Sequence, residues 1–349
     1  MTINSCTAAQ ALGAPYGWFG VLQSSALNPG DIQEVVINEQ RIVVFREQSG
    51  VARAIHAYCP HLGAHFAYGG TVEGNAIRCP FHAWHFDGKG ELTKIGDGAC
   101  TNSRYLNTQM IRSYPVTELN GSIWVWYTPE AQEPTWSVPY TEELNSVDWT
   151  EPVVYEREVN AHIQELIENG IDSAHFPVVH GTVGETSSSF SIDGHVLSGY
   201  QRTVFSTSKG DVVSTLSIEL TGPGCGASRF SGLCDLVLVG TYVPVSPGCV
   251  RFRFYFTQPR AQAEKSRIGL SMIENVIQQQ EEDIPIWENK IYQSNPSLCA
   301  LDGPINRYRK WFSQFFLPSQ PGGISQLPPR VPNSQTSADT QSTVIASLA

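Results

Sequence analysis

Between Tyr16 and Tyr127 the apolar residues fall in short runs that alternate with polar positions: Glu34 to Ile37, Arg41 to Phe45, Ala76 to Arg78 and Ser122 to Tyr127. Pro29-Gly30, Ser49-Gly50, Gly69-Gly70 and Asp87-Gly88 punctuate them. A period of two between turn signals predicts β-strands, so this stretch reads as a small all-β domain spanning 16–127. From Thr128 to Glu143 the chain is rich in Pro and acid and shows no period, and it reads as a linker. The pattern then becomes helical over Ala161 to Ala174, with Ile163, Leu166, Ile167 and Ile171 on one side and Pro177 as the expected stop. Alternation returns at Gln201 to Ser206, Asp211 to Leu220, Leu236 to Val245 and Val250 to Thr257, as in an antiparallel sheet. Helical patterns follow at Ala261 to Glu282 and Pro304 to Phe316. The expected fold class is α+β: an all-β N-terminal domain, then an antiparallel sheet with helices in a helix-grip-like second domain over 144–317. The tail 318–349, dominated by Pro, Ser, Gln and Thr, is expected to be disordered.

Composition narrows the functions available. Across 349 residues, 33 acidic and 22 basic side chains leave a formal charge of −11. Phosphate recognition relies on an excess of Lys and Arg, so nucleic acid is not an expected partner. The longest near-apolar run, Leu236 to Val245, contains Gly240, Thr241 and Pro244 and is far shorter than the roughly 20 residues of a membrane span. The eight cysteines form no evenly spaced framework and the first residues lack a secretory pattern, which predicts a reducing, cytoplasmic setting.

The cysteines matter more by their neighbours. Cys59-Pro60-His61 and Cys79-Pro80-Phe81-His82 each offer one thiol and one imidazole, and 17 residues separate His61 from Cys79. Two thiolates on one iron and two imidazoles on the other suit a [2Fe–2S] cluster. Two Cys and two His also satisfy tetrahedral zinc, although zinc modules more often pair like ligands within one knuckle. His65 and His85 read as polar loop residues beside the ligands.

A second constellation lies in the segment Glu168-Asn169-Gly170-Ile171-Asp172-Ser173-Ala174-His175-Phe176-Pro177-Val178-Val179-His180. On one continuous helix, Glu168, Asp172 and His175 would share a stripe, and a break at Pro177 would let His180 turn back to it. Two His and one carboxylate on one face leave positions open for O₂, as in non-haem Fe(II) oxygenases. Glu281, Glu282 and Asp283 are the candidate carboxylates, and spacing does not choose among them.

The two Cys/His loops resemble a Rieske motif over roughly Tyr16 to Tyr127, and Glu168 to His180 resembles the mononuclear-iron motif of the Rieske non-haem iron oxygenases, the ring-hydroxylating oxygenase α-subunit family. Tyr16-Gly17-Trp18-Phe19, Phe81-His82-Ala83-Trp84, Asp283-Ile284-Pro285-Ile286-Trp287-Glu288-Asn289-Lys290 and Trp311-Phe312-Ser313-Gln314-Phe315-Phe316 are similar to its ketosteroid 9α-hydroxylase and cholesterol 7-desaturase branch. Respiratory Rieske proteins carry a further cysteine in each loop; here Ala64 and Phe81 stand instead, so the resemblance implies the lower-potential oxygenase type of cluster.

The resemblance implies that Cys59, His61, Cys79 and His82 hold the [2Fe–2S] cluster and that His175, His180 and Asp283 hold a mononuclear Fe(II). It selects Asp283 by its place before the Ile-Trp pair, with Pro285 beginning a new helical turn, and leaves Glu281 and Glu282 on a solvated face. It makes Asp172 the bridge between the centres, reached by His82 of the partner subunit in a homotrimer. Electrons would come from NAD(P)H through a ferredoxin or a flavin-containing reductase. O₂ would hydroxylate or desaturate a bulky lipophilic substrate of steroid or terpenoid type, with side chains between Thr203 and Phe256 as its wall. The competing readings are a Rieske electron carrier without oxygenase activity and a zinc-stabilised binding module.

Overall fold

The computed structural model describes residues 12–96, 103–181, 185–207, 210–299 and 302–316. The tail read as disordered lies outside the described residues from 317 onward. The first part of the chain is three small antiparallel sheets. β1 (Gly17–Gln23), β11 (Ser122–Tyr127) and β10 (Val116–Leu119) form one; β2 (Ile32–Ile37), β3 (Gln40–Arg46), β4 (Ala52–His56) and β9 (Ser113–Tyr114) form the second. β5 (Thr71–Glu73), β6 (Ala76–Arg78), β7 (His85–Asp87) and β8 (Leu92–Lys94) form the third, which carries the Cys/His loops. These strands are short because each ends in a turn the sequence marks, as at Gly74 (φ 64°) between β5 and β6.

The second part is a seven-stranded antiparallel sheet in the order β12 (Val153–Val159), β18 (Cys249–Thr257), β17 (Leu236–Ser246), β16 (Cys225–Ser231), β15 (Gly210–Thr221), β14 (Val196–Thr207), β13 (Glu185–Asp193). It is covered by helices, of which α4 (Ile268–Asn289) is the longest at 22 residues. Ile273, Val276 and Trp287 point from α4 into the core, where Trp287 meets Phe252 edge-on at 6.5 Å. Burying such side chains is worth about 1.5–3 kcal/mol each, more than helix propensity supplies over the same turns. The core does not stop at the domain boundary: Phe19, Ile42 and Ile123 share one buried cluster with Phe252, Phe254 and Phe312. Gly20 makes that junction possible, because a Cβ there would come within 2.6 Å of the Thr241 methyl.

Three helices differ from the sequence pattern. The expected helix over Ala161 to Ala174 is α1 (Ile163–Asn169), followed by an irregular link and α2 (His175–Val179). Gly170 ends the first, since glycine carries the largest entropy cost in a helix, and Asp172 then folds its own side chain onto the Ala174 amide at 3.0 Å. Pro177 is therefore not the stop; it lies in the first turn of α2, where a missing N–H costs nothing. Ser266 is extended and splits the next pattern into α3 (Arg260–Lys265) and α4. Pro285 sits inside α4, which runs on to Asn289 instead of restarting. The last helix is α5 (Ile305–Phe312), extended by one tight turn, Ser313–Phe315.

Candidate metal centres

The loops Cys59–Ala64 and Cys79–Trp84 have the same backbone hydrogen bonds. Cys59 N–H donates to Ala64 O (2.8 Å) and Gly63 N–H to Cys59 O (2.9 Å); Cys79 N–H donates to Trp84 O (2.8 Å) and Ala83 N–H to Cys79 O (3.1 Å). Each closure places the fifth residue in the left-handed region, Gly63 at φ 75° and Ala83 at φ 53°. Both thiols are buried at the base of the loops and hydrogen-bonded to each other. The amides of His61 and Leu62 point at the Cys59 sulfur, and those of Phe81 and His82 at the Cys79 sulfur. The shared proton holds the Cys59 thiol up and brings Cys79 down to about 6.

His61 and His82 are at the surface, with ring centroids 4.6 Å apart; His61 stacks on Trp84 at 4.3 Å and His82 lies 3.9 Å from Phe81. Leu62 (65 % exposed) and Phe81 (61 %) flank them as bare apolar side chains. Two buried sulfurs backed by amides and two outward imidazoles match the donor set of a cluster with unlike iron ligands.

His65 and His85, read as polar loop residues beside the ligands, both have buried side chains. His65 is 8 % exposed and lies 3.5 Å from Glu34. His85, on β7, donates from Nδ1 to the Ala83 carbonyl (2.9 Å) with Nε2 3.0 Å from Glu73, so it braces the second loop from beneath. A buried imidazole needs its nitrogens partnered, and for His85 the fold supplies both partners.

In the second domain, ligand atoms of His175, His180 and Asp283 lie within 4.8 Å of one another. His175 begins α2, His180 follows its end, and Asp283 is buried on α4. His180 Nε2 is 3.3 Å from Asp283 Oδ1, and Asp283 Oδ2 accepts from Asn169 Nδ2 at 2.8 Å. That amide nitrogen also lies 3.3 Å from His175 Nε2. Burial pushes the Asp283 carboxyl up and the His175 imidazole down, because both are removed from water without a full counter-charge. A bound cation is the charge this donor set lacks, and two imidazoles with one carboxylate suit a divalent metal.

Asp172 reaches His175 through its main chain. It is the Asp172 backbone carbonyl that accepts from His175 Nδ1 (2.7 Å), while the carboxylate stands 3.8 Å off and is about one-third exposed (34 %). Glu168 does not share the stripe: it is gripped by Arg309 of α5. Glu281 and Glu282 are not merely solvated either. Glu281 accepts from the Tyr155 hydroxyl at 2.8 Å and pairs with Arg157, and Glu282 accepts from His180 Nδ1 at 2.8 Å. Asn169 is thus a residue the sequence reading passed over, and Glu282, weighed there as a carboxylate ligand and left on a solvated face, was not read as a partner of His180. For Asn169 the available signal was its place three residues before Asp172, and for Glu282 its adjacency to Asp283.

Beside the triad, a cavity opens between α1, α4 and the sheet. Asn169, His180 and Asp283 line one side, and Leu216, Ile218, Leu220, Phe230, Leu238 and Phe254 line the other. Part of the expected wall between Thr203 and Phe256 is therefore the side facing His180 and Asp283. Gly226 and Gly240 pair across β16 and β17 beneath Tyr242, whose hydroxyl would be 2.9 Å from a Cβ at Gly240. No helix among the described residues is long and apolar enough to cross a membrane.

Comparisons with known proteins match both parts of the chain. Residues 17–115 match the Rieske [2Fe–2S] domain, and residues 125–316 match the 3-ketosteroid 9alpha-hydroxylase C-terminal domain. The chain is 32 % identical to the cholesterol 7-desaturase nvd of Xenopus laevis, over 88 % of this chain and 73 % of that one. It is 28 % identical to a probable 3-ketosteroid-9-alpha-monooxygenase, oxygenase component, of Rhodococcus rhodochrous, over 79 % and 73 % of the two chains. Dicamba monooxygenase bound to dicamba shares the fold, with a TM-score of 0.68 at 16 % identity over 86 % of this chain and 97 % of that one. The chain belongs to the Rieske non-haem iron oxygenases, enzymes that use a [2Fe–2S] cluster and a mononuclear iron, in the group with a ketosteroid 9α-hydroxylase type of catalytic domain.

Proposed function

We propose that this protein is the terminal oxygenase of a multicomponent system that hydroxylates or desaturates a steroid-like substrate, with Cys59, His61, Cys79 and His82 holding the cluster and His175, His180 and Asp283 holding the iron. The convergence of His175, His180 and Asp283 beside an apolar cavity carries this reading, because an electron carrier has no use for a second donor set. When bound, the cluster supplies one-electron transfer and the ferrous ion activates O₂.

The chain's own residues do the rest. Asn169 holds the Asp283 carboxylate by its outer oxygen and so orients Oδ1 toward His180. The Asp172 carbonyl fixes the proton of His175 on Nδ1 and turns Nε2 inward. Oδ1 of the half-buried Asp172 carboxylate accepts from the Ala174 amide, which leaves Oδ2 to accept from an imidazole N–H of the partner subunit, for which His82 is the surface candidate. Such a head-to-tail contact closes into a ring, and we infer a homotrimer. A ferredoxin or flavin-containing reductase would supply the electrons, as the name of the Rhodococcus oxygenase component implies for that relative.

The apolar lining expels water from the site and selects a bulky hydrocarbon frame. The cavity is about 160 Å³, below the roughly 300 Å³ at which ligand pockets begin, so entry requires side chains such as Met272 and Phe230 to move. The substrate class comes from the relatives named cholesterol 7-desaturase and 3-ketosteroid-9-alpha-monooxygenase.

Iron and acid-labile sulfide per chain, with an EPR spectrum of the dithionite-reduced protein, test the metal assignment. About three irons and two sulfides with a Rieske-type signal are expected. His175→Ala should lose about one iron and neither sulfide. A wild-type protein that binds only two irons after ferrous reconstitution would establish the electron carrier instead. Light scattering at three times the 38.4 kDa of one chain tests the trimer.

A further inference from the structure

We propose that Glu282 is a positioning residue that fixes the tautomer of His180 and strengthens it as a metal ligand. This rests on the reading that His180 and Asp283 hold the iron.

His180 lies between consecutive carboxylates of one helix. Its Nδ1 is 2.8 Å from Glu282 Oε2 and its Nε2 is 3.3 Å from Asp283 Oδ1. Consecutive helical side chains project about 100° apart, so a single imidazole can offer one nitrogen to each. The contact is not a casual surface pair, because the His180 side chain is 1 % exposed. Glu282 is itself steadied one helical turn back, where Gln278 Nε2 donates to Oε1 at 2.8 Å.

Glu282 is an acceptor, so the Nδ1–H of His180 is pinned to it and the Nε2 lone pair is left facing Asp283. A carboxylate behind a ligating imidazole raises its basicity, whereas a carbonyl behind it does so less. The two histidines are therefore unequal: His175 leans on the Asp172 carbonyl and His180 on a full negative charge. The glutamate also brings the carboxylates around the metal to two, which balances a divalent ion.

The test compares wild type, Glu282→Gln, Glu282→Leu and His180→Ala as full-length proteins with the cluster in place. Ferrous affinity is measured by chelator competition, and the electronic absorption of the cobalt(II)-substituted mononuclear site is recorded. Glu282→Gln keeps shape and an acceptor but removes the charge, and about tenfold weaker binding is expected; Glu282→Leu removes both, and the loss should approach 100-fold. The cobalt bands should shift in both, while the melting temperature of the protein with the cluster but without the mononuclear metal stays within a few degrees of wild type.

Affinities within about twofold of wild type in both variants, with an unchanged cobalt spectrum, would overturn the proposal. So would a lower melting temperature without weaker metal binding. Wild-type iron affinity in His180→Ala would instead overturn the ligand assignment on which the proposal stands.

Discussion

Arg309 grips Glu168 with two parallel hydrogen bonds, Nε to Oε2 at 2.6 Å and Nη2 to Oε1 at 2.8 Å, and so ties α5 to the helix that ends at Asn169. Both side chains are largely buried, at 15 % and 9 % exposure. Glu168 thus anchors the scaffold on which Asn169 and the segment to His180 are held.

Removing one partner of that pair strands the other charge away from water. Arg309→Met should lower stability by about 3–5 kcal/mol, and Arg309→Met with Glu168→Met should recover much of it. Denaturant unfolding of the three variants checks the cycle. Additive losses in the double variant would show that the pair is not coupled.

Ala83 occupies the left-handed position that Gly63 fills in the sister loop. Ala83→Gly should keep the cluster and leave stability unchanged or raise it by about 1 kcal/mol. Ala83→Val should release sulfide and iron together, since a β-branched residue at φ 53° is strained. Sulfide content and the visible spectrum report both.

The cavity floor depends on Gly240, where an added Cβ would reach the Tyr242 hydroxyl at 2.9 Å and the Phe254 ring at 3.2 Å. Gly240→Ala should push those rings into the cavity and raise KM for a steroid by about tenfold with a smaller effect on kcat. Steady-state kinetics separate the two. A fall in kcat alone would place Gly240 outside substrate binding.

His162 caps α1 by accepting from the Gln164 amide at 3.1 Å and is 2 % exposed. Burial brings its pKa down to about 4. The folded state therefore resists a proton that the unfolded chain takes up near 6.5, so stability is complete above 6.5 and declines as pH falls toward 4. The loss amounts to roughly 3 kcal/mol at the acid limit. Thermal unfolding between pH 7 and 4 should show that decline, and His162→Asn, which keeps a capping oxygen, should flatten it.

Much of this was legible along the chain. The two Cys/His loops are visible because their donors lie within four residues of each other, and a tight loop brings neighbours together whatever the rest of the fold does. The strands ending at Ile37, Arg46 and Tyr127 were legible for the same reason: period and turn are local. β12, β13 and β16 were not read as strands: the alternation in β13 and β16 is weak although their partners are adjacent hairpin strands, and the partner of β12 lies far away in the chain. β12 is an edge strand fixed by its register with β18.

What only the tertiary structure decided is the rotation of α4. Glu281, Glu282 and Asp283 are equivalent acids by composition, yet packing of Ile273, Val276 and Trp287 turns them to Tyr155, to His180 Nδ1 and to His180 Nε2 respectively. A helix is set about its axis by the core it buries, and that core is assembled from the whole chain. The sequence by itself therefore determined the donor types and their local spacing, while which carboxylate meets which nitrogen was left to packing across more than 100 residues of chain.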